Sequence, residues 1–85
     1  RMIVPLSSLR EGESGVIAFI NVDYKGRGKS WGFVKRLADM GLTPGTKVTV
    51  IKSAPFRGPI EICVRGSRLA LGRGMAKRIF MEIDR

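Results

Sequence analysis

The sequence predicts one domain over residues 1–85: mostly β, with one inserted α-helix and short helical turns. Three observations carry this. Residues 36–50 read as the last turn of a helix, a hard stop, a tight turn and the start of a strand. Ile60 to Arg65 alternates apolar and polar residues, and a turn pair, Gly66-Ser67, follows it. A length of 85 residues suits one domain and no more.

Composition narrows the function classes. A chain this short buries about 60–65% of its unfolded surface, so its core is thin. The longest apolar run, Val16 to Ile20, is far too short to span a bilayer. No signal peptide is visible. Cys63 is the single cysteine, which forbids an internal disulfide and suits a reducing cytoplasm. Arg1, ahead of Met2, belongs to none of the predicted elements. Sixteen Lys and Arg against seven Asp and Glu give a net charge of +9. Such a charge admits nucleic acid, an anionic membrane surface or an acidic protein as partner. The chain has no histidine, so the commonest catalytic base and metal ligand is missing.

Taken in order, Pro5 to Arg10 reads as a short turn or single helical turn, and Glu11 to Gly15 as a loop. Val16 to Val22 is a predicted strand, apolar on both faces and so expected to be buried on both. Asp23 to Lys29 is a basic, glycine-rich loop, with Ser30 as N-cap of the helix that follows. On that helix Phe33, Leu37 and Met40, with Val34 and Ala38, form an apolar stripe. Lys35, Arg36 and Asp39 lie opposite at ion-pairing spacing. Gly41 sits where a helix needs a left-handed residue to stop, and Leu42 is placed to cover the last turn. Thr43-Pro44-Gly45-Thr46 has the Pro and Gly positions of a type II turn. Lys47 to Ser53 is the second long strand and Ala54 to Gly58 a loop. Ile60, Ile62 and Val64 then face the core. Gly66-Ser67 as a type II′ pair sets Val64 opposite Leu69, Ile62 opposite Leu71 and Arg65 opposite Arg68. Leu71 to Ala76 turns the chain with a helical turn, and Arg78 to Ile83 is the closing strand.

Three of these blocks also carry a resemblance: Arg36-Leu37 through Thr46, Ala54-Pro55-Phe56-Arg57-Gly58-Pro59-Ile60-Glu61-Ile62, and Val64 through Leu71. In that order and spacing they resemble the FeoA family, small cytoplasmic accessory proteins of bacterial ferrous iron uptake. The match runs from Leu6-Ser7-Ser8-Leu9 to Ile83. The loop at Asp23 to Lys29 is longer than the corresponding connection in that family usually is. The resemblance implies an SH3-like β-barrel with a helix inserted after the first long strand. The C-terminal domains of iron- and manganese-dependent repressors share that fold. It also implies a partner, FeoB, the membrane ferrous-iron transporter with a cytoplasmic GTPase domain.

The remaining motifs have plainer explanations. Gly28-Lys29-Ser30 imitates the end of a phosphate-cradling loop, but that motif's first glycine would fall at Asp23, a carboxylate where phosphates would lie. A solvated loop ending in an N-cap accounts for it. Cys63 alone cannot build a structural zinc site, and the carboxylates are scattered, so no intrinsic metal site and no cofactor are expected. Six serines have no histidine to activate them, and no carboxylate pair is spaced for acid–base work. The chain therefore reads as a binding protein, not an enzyme, with no small-molecule substrate.

Tyr24 and Trp31 flank Lys25, Arg27 and Lys29, and Arg65, Arg68, Arg73, Lys77 and Arg78 form a second basic run. That combination suits base stacking and phosphate contact, so a small-barrel nucleic-acid binder is the alternative. A repressor's C-terminal domain is the other. Read from Met2, the chain carries no DNA-binding helical region, and a free-standing protein is the expectation. For the FeoB reading, the expected partner-binding residues are Met40, Leu42, Pro44, Pro55 and Phe56, lining an apolar groove, with Arg65 and Arg68 as exposed charge. Core and cap packing is the competing role for Met40 and Leu42.

Overall fold

The computed structural model describes residues 1–22 and 30–85, with the side chains of residues 30 and 31 outside that description. The Ser30 N-cap, the Gly28-Lys29-Ser30 segment and the basic loop with Tyr24, Trp31 and Lys25 to Lys29 thus lie outside the described residues.

Six strands, β1 (Met2–Pro5), β2 (Ser14–Ile20), β3 (Lys47–Ser53), β4 (Ile60–Val64), β5 (Ser67–Leu71) and β6 (Ile79–Ile83), form one sheet in the order β1-β6-β2-β3-β4-β5. Every pairing is antiparallel. The register shifts between Ile17 and Phe19 and again between Val50 and Lys52. Such irregularities bend a strand and increase its twist, which lets a sheet this small curl around one core. Helix α1 (Ser30–Asp39) is inserted between β2 and β3, and the one-turn helix α2 (Arg73–Ala76) between β5 and β6. A 3₁₀ turn at Leu6–Ser8 packs against α2, burying Leu6 and Ala76. None of the described helices is long and apolar enough to cross a membrane.

The core is built from alternate positions of the strands: Ile17, Val48, Val50, Ile60, Ile62 and Met81 are buried almost completely. β2 begins two residues earlier than its apolar run and ends at Ile20. It is not buried on both faces, since Val16 and Phe19 are 41% and 46% exposed. The reason is a local pair on the outer face: the Phe19 ring stacks on Phe80 at 4.8 Å, tilted by 9°. β1, an edge strand with no counterpart in the sequence reading, pairs with β6 and with no other strand among the described residues.

The helix stripe is narrower than expected. Phe33 and Leu37 are buried and Met40 packs against the core, but Val34 and Ala38 are exposed. Lys35 and Asp39 pair at 3.5 Å across one turn. The stop is formed as expected. Gly41 has φ 83°, its N–H donates to Ala38 O at 2.9 Å, and the Leu42 N–H donates to Leu37 O at 2.8 Å. Those two bonds are the Schellman pair, and they satisfy carbonyls the helix leaves open. Thr46 N–H then closes the type II turn on Thr43 O at 3.1 Å, with Gly45 at φ 91°.

The β4–β5 hairpin corrects the expected turn. Arg65 and Gly66 occupy the two central positions, at φ 52° and 80°. That is a type I′ turn, whose twist matches the strands it joins. Val64 therefore faces Ser67, Ile62 faces Leu69, and Arg68 faces Cys63. Arg65 is in the turn and does not oppose Arg68.

A clamp fastens the chain end. Arg85 donates to both Glu13 carboxylate oxygens, at 3.0 and 2.8 Å, and to Ser8 O at 3.1 Å. The Arg10 N–H also donates to Glu13 Oε1 at 2.7 Å. The Arg85 hydrogen bonds first, and then the Arg10 N–H, pull the Glu13 carboxyl down to about 2.

Candidate partner-binding site

The five apolar residues expected to line one groove do not meet in one. Leu42 is 0% exposed and belongs to the core, where it covers the last turn of α1 and has no surface to offer. Met40 is half-buried against the same core, and Pro44 is exposed on the type II turn. Arg65 runs beside Gly41 and donates to Thr46 Oγ1 at 3.3 Å, lining a hollow with Lys47, Thr49 and Cys63. Pro55 and Arg68 do share a groove. It measures about 470 Å³ and is lined by Lys52, Ala54, Pro55, Pro59, Glu61, Arg68 and Ala70.

The loop beside that groove has an unusual backbone. Gly58 N–H donates to Pro55 O at 3.1 Å, closing a turn whose central residues, Phe56 and Arg57, have φ 57° and 62°. This is a type I′ turn without glycine at either position that calls for it. Each left-handed non-glycine residue costs on the order of 1–2 kcal/mol. The turn holds Phe56 98% exposed.

Surrounding structure enforces this shape. Arg73, from α2, donates Nε–H to Gly58 O at 3.2 Å and Nη2–H to Ala54 O and Ser53 Oγ at 3.1 and 3.0 Å. Ala54 N–H closes the base of the loop on Pro59 O at 3.1 Å. A Cβ at Gly58 would lie 2.8 Å from the Ala54 Cβ, so the loop can close this tightly only over glycine. A strained backbone of this kind persists because the surrounding structure fixes it, and here one guanidinium supplies three of the hydrogen bonds that do so.

Sequence reasoning singled out Phe56 from its residue type and loop position, and the structure leaves its ring in solvent. It missed Arg73, which it placed in a basic run, because a guanidinium's partners fifteen to twenty residues away carry no local signal. The groove is positive on balance: Lys52 and Arg68 line it with Glu61, and Arg57 stands on the adjoining turn. Arg68 and Glu61 pair at 3.6 Å with both side chains solvated, an arrangement that adds little to stability. Among the described residues no cluster of three or more His, Cys, Asp or Glu could hold a metal ion.

The family model described as the FeoA domain matches residues 4–83. The chain belongs to the FeoA family. It is 35% identical over 78 residues to the putative Fe(2+) transport protein A of Methanocaldococcus jannaschii, covering 92% of this chain and 84% of that one. At the same identity and length it matches an Fe(2+) transport protein A/Fe(2+) transporter FeoB fusion protein of Porphyromonas gingivalis, of which it spans 8%. A crystal structure of an iron uptake regulatory protein (FeoA) is similar with a TM-score of 0.78 at 36% identity, over 96% of this chain and 97% of that one. Two further likenesses bear on fold alone. Stenotrophomonas maltophilia FeoA complexed with zinc, described as a prokaryotic SH3 domain protein, has a TM-score of 0.75 at 24% identity, over 93% of this chain and 89% of that one. A manganese-dependent transcriptional repressor has 0.80 at 20% identity, over 99% of this chain and 38% of that one. The SH3-like barrel expected for the FeoA family is thus the fold of this chain.

Proposed function

We propose that this protein is an accessory of ferrous iron uptake that works at the cytoplasmic side by binding a FeoB-like transporter, with no chemistry of its own. The observation that carries this is the Porphyromonas gingivalis relative, in which a FeoA-like segment and the transporter are one chain. Fusion removes the need for the two parts to find each other and is readily explained if they act in contact. The surface offered is the Pro55–Pro59 turn and its groove, where Phe56 stands in solvent ready to be buried. Exposed charge speeds and orients encounter, and a buried aromatic fixes the complex.

Surface plasmon resonance against the soluble GTPase domain of FeoB tests this. Binding is expected, and Phe56→Ala should speed dissociation with a loss of roughly 1–3 kcal/mol. Neutralising Arg68 should slow association and flatten its salt dependence. The same change at Arg65 should do less, because its guanidinium is engaged by Thr46. No response to the GTPase domain, with steeply salt-dependent binding of DNA or RNA in the control channel, would defeat the proposal.

A further inference from the structure

We propose that β5 and the groove beside it take an extended partner segment by strand addition, reading an apolar residue followed two positions later by an acidic one. This stands on the sheet geometry and does not depend on which protein supplies the segment.

The β4–β5 hairpin has a two-residue turn, so Val64 and Ser67, which flank it, exchange both backbone hydrogen bonds. Bonded and non-bonded pairs alternate from there. Ser67, Leu69 and Leu71 therefore direct their N–H and C=O groups to β4. Arg68 and Ala70 direct theirs the other way. β5 is the last strand in the sheet order, and among the described residues no strand pairs with its far side. Two donors and two acceptors thus lie along an open edge at alternate residues.

The side chains of those two residues sit on the outer face and are the ones from β5 that line the groove. An added strand would place alternate side chains beside them. Ala70 is small and adjoins the apolar walls given by Pro55 and Pro59, so the facing position has room for a large apolar group. Arg68 sets the other position. Its present partner, Glu61, is solvated and 3.6 Å away, and a carboxylate on the incoming strand can replace it. The excess of Lys52, Arg57 and Arg68 over Glu61 favours an acidic strand over a basic one. Every pairing in this sheet is antiparallel, which puts the residue facing Ala70 two positions before the residue facing Arg68. Main-chain bonds supply affinity in this mode, and the alternate side-chain positions supply selectivity.

Amide hydrogen exchange and ¹H–¹⁵N NMR on the intact protein test this with a defined probe, the blocked peptide Thr-Val-Thr-Val-Thr-Glu-Thr, and its Glu→Lys counterpart. The acidic peptide should shift and slow the Arg68 and Ala70 amides and leave Leu69, already bonded to β4, unchanged. Slowing should be about tenfold when nine-tenths of the sites are filled. Ala70→Pro removes one outward N–H and spares the β4 ladder, as proline is tolerated on an open edge, and it should abolish the response. Arg68→Glu should reverse the preference to the lysine peptide, which keeps the test decisive if the proline variant fails to fold. Arg68 and Ala70 amides as slow as Leu69 in the free protein would show a covered edge and overturn the proposal. Equal response to both peptides, or no response at millimolar peptide, would overturn it as well.

Discussion

Two turns bracket β3, and each needs residues with positive φ. The turn before β3 meets that need with Gly41 and Gly45, at φ 83° and 91°. The turn after it meets the same need with Phe56 and Arg57, at φ 57° and 62°. In the first, unstrained glycine closes a Schellman bond pair and sends Leu42 into the core. In the second, strain is accepted, Arg73 holds the loop shut, and a phenylalanine stands in solvent. The first turn is built for stability. The second keeps a phenylalanine in solvent on a left-handed backbone, and the binding surface proposed above rests on that exposed ring.

The largest effect that tests this contrast comes from placing a left-handed valine in the first turn. Gly41→Val must hold φ near 83° with a β-branched side chain, costing on the order of 1–2 kcal/mol. Its Cβ would also come within 3.4 Å of the Arg65 Cδ, a contact the flexible arginine can accommodate, so backbone strain dominates. For a domain of this size each kcal/mol moves the melting temperature by about 4–8 °C. Differential scanning calorimetry should show a drop of that order, and an unchanged transition would mean this turn carries no conformational constraint.

The second turn should respond in the opposite direction. Arg57→Gly relieves a left-handed arginine but gives the unfolded chain more freedom, and the two effects largely offset. The net is a gain on the order of 0.5 kcal/mol, or a rise of about 2–4 °C. Arg57→Lys keeps the strain and should leave melting unchanged. If Arg57→Gly destabilises the protein as Gly41→Val does, the two turns are alike and the assignment of strain to function fails.

The first turn was legible in the sequence because glycine and proline announce their backbone conformations. Gly41, Pro44 and Gly45 specify a helix stop and a type II turn without reference to anything distant. The second was legible only as a loop with an exposed aromatic, because nothing local shows that Phe56 and Arg57 are left-handed. That conformation comes from Arg73, Gly58 and Ala54, brought together by the fold. The β4–β5 register failed for a different reason. The expected pairing, Val64 with Leu69, and the observed one, Val64 with Ser67, differ by two residues. A two-residue slip keeps every side chain on its face, so hydrophobic alternation cannot choose between them. The choice rests on Arg65 adopting φ 52°, which residue type does not announce. The open edge at Arg68 and Ala70 follows from that register and was invisible for the same reason.

The smallest expected effect uses acid to ask whether the two turns are independent of the clamp between them. Residues 12 and 13 lie along β3: Gly12 N–H donates to Val50 O at 2.7 Å, and Val50 N–H donates to Glu13 O at 2.9 Å. Glu13 is therefore tied to the middle of the strand whose two ends lead into the turns. Its carboxyl is held at about 2, below the ordinary 4.5, by Arg85 and then by the Arg10 N–H. A carboxyl lowered by folding stabilises the native state above its unfolded value, and that contribution is lost as pH falls toward the folded one. The window is thus about pH 4.5 down to 2, and the loss is modest because the clamp lies at the surface, where the Arg85 and Glu13 side chains remain 25% and 23% exposed. Glu13→Gln should melt lower than wild type at neutral pH, with the gap closing through that window as other carboxyls titrate equally in both. The melting difference between wild type and Arg57→Gly should meanwhile stay constant with pH, since Arg57 has no described hydrogen bond or ion pair in common with the clamp. A gap that closes in step with Glu13 protonation would show that the second turn is strained through β3, and not held by Arg73 alone.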